Sequence, residues 1–428
     1  MKVEIISIGN ELLIGDTINT NASWMGEFMT EHGFEVVRVH TISDNINHIK
    51  ETVTQALSGA DLVLCTGGLG PTHDDITKKA LAELFEMNMR TDHEVLDFVK
   101  IMFAERKIPF SQSNFGQAEV PEHCEVLFNK AGTAPGMWFN IDRKYLAVMP
   151  GVPYEMKYIM KNGVAPKLRE SFGDVGYLYS HYIKTAGIGE STLSDNVLGN
   201  LDRFLNNGVS LAFLPMAGGV MLRLNGQGTT KEKAIASISS LLNYILDKAA
   251  EFIIGEGKDL TVSEVVGKLL IEKKLTIATA ESCTGGMIVN ELTNIAGSSS
   301  YVLGGIVAYS NSVKVNQLKV TQSDLEAYGA VSKQVALQMA RGAASNLGAD
   351  IGISTTGIAG PGGGTGEKPV GTVWIGFWSK NEHFAIKAMF TKDRLINKER
   401  TTRTVLELLR RNLTGIDSIP YNLEKQLP

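Results

Sequence analysis

This chain of 428 residues has only three cysteines, Cys65, Cys124 and Cys283. They are too few, odd in number and too scattered for a disulfide framework or a zinc cluster, and they suggest a reducing compartment. Positive charge is not in excess either: 41 Lys and Arg stand against 46 Asp and Glu, for a net charge of -5. No basic block or stripe occurs, which argues against nucleic acid as a general partner. No apolar run is long enough to span a bilayer. The chain opens on Val3-Glu4-Ile5-Ile6-Ser7-Ile8, which reads as a strand, without the basic start and longer apolar stretch of a signal peptide. A cytoplasmic chain with no membrane partner is the expectation. The 43% hydrophobic content is ample for ordinary cores, and the length points to about two to four domains.

Strand and helix alternate through roughly the first 165 residues, as in a parallel sheet. Val3 to Ile8, Glu35 to Val39, Asp61 to Cys65 and Tyr145 to Met149 read as strands; Asn21 to Glu31, Asn47 to Leu57 and Ile76 to Phe85 read as helices. Ligands of such sheets bind at the carboxyl ends of the strands. The chemistry-rich residues fall there: Gly9-Asn10-Glu11 after the first strand, Asp44 after the second, and Thr66-Gly67-Gly68-Leu69-Gly70-Pro71-Thr72-His73-Asp74-Asp75 after the third. Glycines admit phosphate, and carboxylates can hold a hard divalent cation such as Mg²⁺ against a pyrophosphate. His73, without a spaced partner, reads as a loop hydrogen-bonding residue rather than a metal ligand.

A smaller α+β unit follows. Tyr179 to Lys184 reads as a strand, Glu190 to Phe204 as an amphipathic helix, and Val209 to Phe213 with Val220 to Leu224 as a hairpin about Pro215-Met216-Ala217-Gly218-Gly219. Lys231 to Lys248 reads as a second helix and Glu251 to Ile254 as a last strand. Gly255-Glu256-Gly257-Lys258 reads as a linker.

Serine, tyrosine and lysine dominate the last part. Gly297-Ser298-Ser299-Ser300 is followed by the strand-like Gly304 to Tyr309, the cap-like Ser310-Asn311-Ser312 and Lys314. Such a trio can make an amidase without histidine or metal, provided the lysine is neutral. A place in the first helical turn would favour the neutral amine through the helix dipole. Taken singly, these are also ordinary turn serines, a packing tyrosine and a solvated lysine. Two glycine-rich strand ends accompany them. Leu275 to Ala280 runs into Glu281-Ser282-Cys283-Thr284-Gly285-Gly286 ahead of an apolar helix, a strand, turn and helix start suited to a phosphate or carboxylate. Ile351 to Thr356 runs into Gly357-Ile358-Ala359-Gly360-Pro361-Gly362-Gly363-Gly364.

Ala280 to Gly286, Ile295-Ala296-Gly297-Ser298-Ser299, Tyr309-Ser310-Asn311, Gly329 to Ser332, Gly357 to Pro361 and Lys368 to Val373 together resemble the CinA C-terminal domain. Some members of that family are nicotinamide mononucleotide amidases. The resemblance implies hydrolysis of nicotinamide mononucleotide to the nicotinic acid nucleotide and ammonia, with no cofactor. It puts the nucleophile on Ser299, with Tyr309 and Lys314 beside it; spacing alone leaves Ser298, Ser300, Ser310 and Ser312 open. Ser282, Thr284, Gly285, Thr356, Gly357 and Arg394 are the expected substrate-binding residues.

The N-terminal loops are similar to molybdopterin-binding domains, and through Ala131 to Gly136 and Pro150 to Met156 more closely to the CinA N-terminal domain. Some of that group are metal-dependent ADP-ribose pyrophosphatases. The resemblance implies a nucleotide site at Glu11, Gly67, Gly68, Gly70, Thr72 and Asp75, with Asp44 and Asp75 toward a metal. It also implies a KH-like middle domain, here without an evident Gly-x-x-Gly loop or basic surroundings, and a homodimer. The fold expected is therefore multi-domain α/β. A three-layer molybdopterin-binding-like domain spans residues 1–168, a KH-like α+β module 169–256 and an α/β amidase domain 257–416. A pyrophosphatase with a secondary C-terminal domain, or a non-catalytic nucleotide-binding scaffold, are the competing functions. Short-chain dehydrogenases place Tyr and Lys one residue closer and need a glycine fingerprint that is missing here.

Overall fold

The computed structural model describes residues 1–72, 75–173 and 176–428. Contacts group them into two compact units, one of residues 1–179 with 226–237, the other of residues 180–225 with 238–428. His73 lies outside the described residues.

The first sheet holds β1 (Lys2–Ile8), β2 (Glu35–Ile42), β3 (Leu62–Thr66) and, beyond the small pair β4 (Met89–Thr91) and β5 (Glu119–Pro121), also β6 (Glu125–Leu127), β7 (Gly136–Ile141) and β8 (Lys144–Met149). Its order is β2-β1-β3-β8-β7-β6. The first four are parallel, with Ile5 opposite both Val39 and Leu64, and β7 and β6 are added antiparallel. The alternation of side chains along each strand divides them between two cores. Val3, Ile5, Leu62 and Leu64 join Met25, Phe28 and Met156 on one face; Ile6, Ile8, Val63 and Cys65 join Ile49, Val53 and Leu81 on the other. Both faces are thus covered by helices, the condition under which a strand such as Leu62–Thr66 is apolar throughout.

The middle sheet has the order β10-β11-β9-β12, from β9 (Tyr177–Thr185), β10 (Ser210–Met216), β11 (Gly219–Gly228) and β12 (Ile253–Glu256). The hairpin turns at Ala217-Gly218, where φ is +88° at Gly218. The expected helix to Phe204 is shorter: it ends at Leu198, because Gly199 takes φ +64° and breaks the run. The second helix is two, Lys231–Ser237 and Ser239–Lys248.

The last sheet has the order β14-β13-β15-β16-β17-β18. It comprises β13 (Ile277–Glu281), β14 (Val302–Val307), β15 (Ile351–Gly357), β16 (Thr372–Ser379), β17 (His383–Met389) and β18 (Lys425–Gln426). β14, β13 and β15 are parallel and the rest antiparallel. The helix Arg394–Thr414 buries Val405, Leu406 and Leu409 against one face. On the other, the helix Lys333–Leu347 lies so close that a Cβ on Gly352 would stand 2.0 Å from the Ala340 carbonyl oxygen. The three parallel strands end side by side, and their carboxyl ends carry the chemistry.

Candidate active site

Glu281 closes β13 with a carboxylate only 1% exposed. It accepts from the N–H groups of Gly286 (3.0 Å), Ile288 (3.1 Å) and Val289 (2.9 Å), and so satisfies the start of the helix Met287–Thr293. The turn between is pinned further: Ser282 N–H donates to Thr355 O at 2.9 Å, and the Thr284 and Thr355 hydroxyls meet at 2.7 Å. Gly285 and Gly286, at φ +64° and +93°, make the left-handed path that carries the chain from strand to helix. Ser282 is presented, half-buried, from this rigid turn.

Lys314 reaches it from the neighbouring helix Asn311–Leu318, which Ser310 caps by accepting from Val313 N–H. The lysine is 1% exposed, and its Nζ lies 3.2 Å from Ser282 Oγ, 2.7 Å from Ala308 O and 3.4 Å from Tyr309 O. Among the described residues no carboxylate pairs with it. Burial lowers its pKa, against a smaller raising effect from the neighbouring Cys283. Nζ donates to all three oxygens; in the neutral amine one N–H gives way to a lone pair, and the Ser282 hydroxyl is the one of the three contacts able to donate to it. The cause of the shift is desolvation, where the sequence suggested the helix dipole.

Ser299 is not the partner of this lysine. It sits exposed in the turn Ser298–Ser300, before β14, where Tyr301 O accepts from Ile277 N–H at the amino edge of the sheet. Lys314 lies beyond the carboxyl edge, so the six residues of β14 separate them, roughly 20 Å of strand. The other serines are engaged locally: Ser298 with Thr293 O, Ser300 with Gly297 O, and Ser310 with Ser312. Cys283, beside Ser282, is buried and its thiol is pushed up to about 12, so it carries no thiolate.

Tyr309 is exposed, and its hydroxyl accepts from Arg394 Nη2 at 2.8 Å while Arg394 Nη1 donates to Gly360 O at 3.0 Å. One guanidinium therefore joins the tyrosine to the glycine loop. Lys398, one helical turn on, was missed in the sequence; its Nζ would stand 3.6 Å from a Cβ on Gly285. A basic residue at i+4 from Arg394 was the available signal. The helix start itself is already capped, since Asp393 accepts from Leu395 and Ile396 N–H. Thr356 and Thr284 are not free to touch substrate: Thr356 Oγ1 donates to Ala330 O, Thr284 is paired with Thr355, and both are at most 1% exposed. Gly357 ends β15, packed against Thr372 and Val373.

The N-terminal residues converge as well. Glu11, Asp44, Gly67, Gly68, Gly70 and Asp75 line one cavity of about 350 Å³. Thr72 holds Asp75 Oδ2 through its N–H (2.9 Å) and hydroxyl (2.5 Å), and Asp44 Oδ2 accepts from Asn10 N–H at 2.9 Å. Glu155, a further lining residue, has its carboxyl pKa raised by burial, against the lowering effect of the Asn129 hydrogen bond. Among the described residues no group of three or more His, Cys, Asp or Glu could by itself hold a metal ion. The all-oxygen donor set fits a hard cation only if ligand oxygens complete it.

Family comparisons follow the same three divisions. Residues 4–170 match the probable molybdopterin binding domain, 180–255 the damage-inducible protein CinA KH domain, and 259–413 the CinA C-terminal domain. A CinA-like protein of Chloroherpeton thalassium is 44% identical over 428 residues, spanning 97% of this chain and 100% of its own. A putative competence-damage inducible protein of Clostridium tetani is 40% identical, spanning 96% and 100%. Among solved structures, the competence/damage inducible protein of Agrobacterium tumefaciens is 40% identical, covering 37% of this chain and 99% of its own, with a TM-score of 0.34. Fold and domains define a multi-domain α/β protein with a molybdopterin-binding-like domain, a KH module and a CinA C-terminal domain. The chain belongs to the CinA family. Among the described residues no helix is long and apolar enough to cross a membrane.

Proposed function

We propose that the C-terminal domain hydrolyses the carboxamide of nicotinamide mononucleotide, giving the nicotinic acid nucleotide and ammonia, with Ser282 as nucleophile and Lys314 as base. The observation that carries this reading is the buried Nζ of Lys314, 3.2 Å from Ser282 Oγ with no carboxylate partner among the described residues. Lys314 takes the hydroxyl proton as Ser282 Oγ attacks the amide carbon. Backbone N–H groups of the turn other than those of Ser282 and Gly286, which are already bonded, stabilise the oxyanion. The resulting ammonium returns its proton to the leaving nitrogen, ammonia departs, and the same amine activates the water that cleaves the acyl-enzyme. Arg394 and Lys398 supply two cations for the substrate phosphate, and the Arg394–Tyr309 bond orients the tyrosine. No metal or cofactor takes part.

The N-terminal cavity supports a second reading, an ADP-ribose pyrophosphatase-like site. Asp44 and Asp75 would hold Mg²⁺ or a similar divalent cation only together with the ligand's phosphates, Glu11 lining the same nucleotide cavity, and the cation would polarise the pyrophosphate. The setting proposed is a cytoplasmic homodimer acting on small nucleotides. Ammonia release from nicotinamide mononucleotide tests the main reading. Ser282→Ala is expected to lose at least about a thousand-fold in kcat, and Ser299→Ala to retain the parent rate; the opposite pattern would refute the assignment.

A further inference from the structure

A cavity of about 460 Å³, apart from the residues used above, lies within the unit of residues 180–225 and 238–428. Its wall is mainly apolar, from Ile188, Met216, Val220, Met389, Phe390 and Leu423. Such a lining with few polar groups is the usual composition of a small-molecule site. The polar groups here are distinctive. Arg400 is the one cation of the wall, is exposed, and has no ion pair or side-chain hydrogen bond among the described residues. Tyr421 shares the wall with it and offers a phenolic hydroxyl donor. Tyr421 is held in the left-handed region (φ +57°, ψ 25°), a conformation costing about 1–2 kcal/mol, and its N–H donates to Gly187 O at 2.7 Å. Glu190 is the one carboxylate of the wall.

These groups select a ligand class. A guanidinium forks onto a carboxylate, and a neutral phenol adds one donor. Arg400 supplies one positive charge, enough to pair with a monoanion, whereas a phosphate dianion would leave a second negative charge in a wall that already carries Glu190. Two methionine sulfurs and the Phe390 ring favour an aromatic body over an aliphatic one. We propose that this cavity binds a compact aromatic monocarboxylate, its carboxylate on Arg400 and the Tyr421 hydroxyl and its ring among Met216, Val220, Met389 and Phe390.

Calorimetric titration of the full chain with benzoate and with benzamide, its neutral isostere, tests this. Benzoate is expected to bind one per chain, at least tenfold more tightly than benzamide. Arg400→Met should weaken benzoate tenfold or more without changing benzamide, and Met216→Trp, which fills the cavity, should abolish both. Ser282→Ala should leave benzoate binding unchanged, which separates this cavity from the amidase site. Absence of benzoate binding, equal affinity for the two probes, or unaltered benzoate affinity in Arg400→Met or in Met216→Trp overturns the proposal. Unchanged circular dichroism in the variants excludes misfolding as the cause of lost binding.

Discussion

The proposed chemistry of the C-terminal domain rests on a lysine with three polar contacts and 1% exposure. Burial penalises the charged form of Lys314 and lowers its pKa below the usual amine value. The base is the neutral form, which grows as pH rises through that lowered pKa. Amidase kcat/KM is therefore expected to climb with unit slope and level off below the range of an ordinary lysine, about 10.4. Lys314→Arg, which stays charged, should be inactive across the whole pH–rate profile. A parent enzyme flat at neutral and acid pH, or an active arginine variant, would contradict this. Tyr309, Lys314 and Arg394 were legible as candidates, because their types stand out near a strand end and a helix start, and the structure brings them near one another. The serine was not: Ser299 is near Tyr309 in sequence, but it precedes β14 while Lys314 follows it. Distance along a chain inverts across a strand, and the rule that ligands meet the carboxyl ends of parallel strands already favoured Ser282.

At the scale of elements, the turn after β13 owes its shape to Glu281. Its carboxylate accepts three backbone N–H groups at the start of the following helix and is closed off from water. Glu281→Gln exchanges an acceptor oxygen for a donor that cannot serve those N–H groups, at a cost of about 1–3 kcal/mol. A lower midpoint in urea together with a reduced kcat is expected, since the same turn presents Ser282; an unchanged kcat would mean that the turn is held by other contacts. The parallel strands of the first and last sheets could be read from apolar runs bounded by glycine and cap residues, while the antiparallel strands β6, β7, β16, β17 and β18 and the helices Lys333–Leu347 and Arg394–Thr414 were not. The middle helices could not be placed so well. Gly199 ends one early and the other is interrupted at Ile238, and an amphipathic pattern continues past such breaks without registering them.

At the scale of the whole molecule, two candidate centres belong to two compact units, each built at strand ends. If each works alone, Asp75→Asn in the full chain should lower AMP release from ADP-ribose in the presence of Mg²⁺ at least tenfold and leave ammonia release intact, while Ser282→Ala does the reverse. Loss of both activities in either variant, with circular dichroism unchanged, would instead reveal coupling. By itself the sequence determined the family, the three-part α/β plan and the neighbourhoods of both centres, because strand alternation, glycine turns and residue chemistry are local properties. Only the tertiary structure decided which serine meets the lysine, that burial lowers the pKa of that lysine, and which threonines are already occupied. Those are matters of distance and desolvation, and they exist only once β13, β14 and β15 lie side by side.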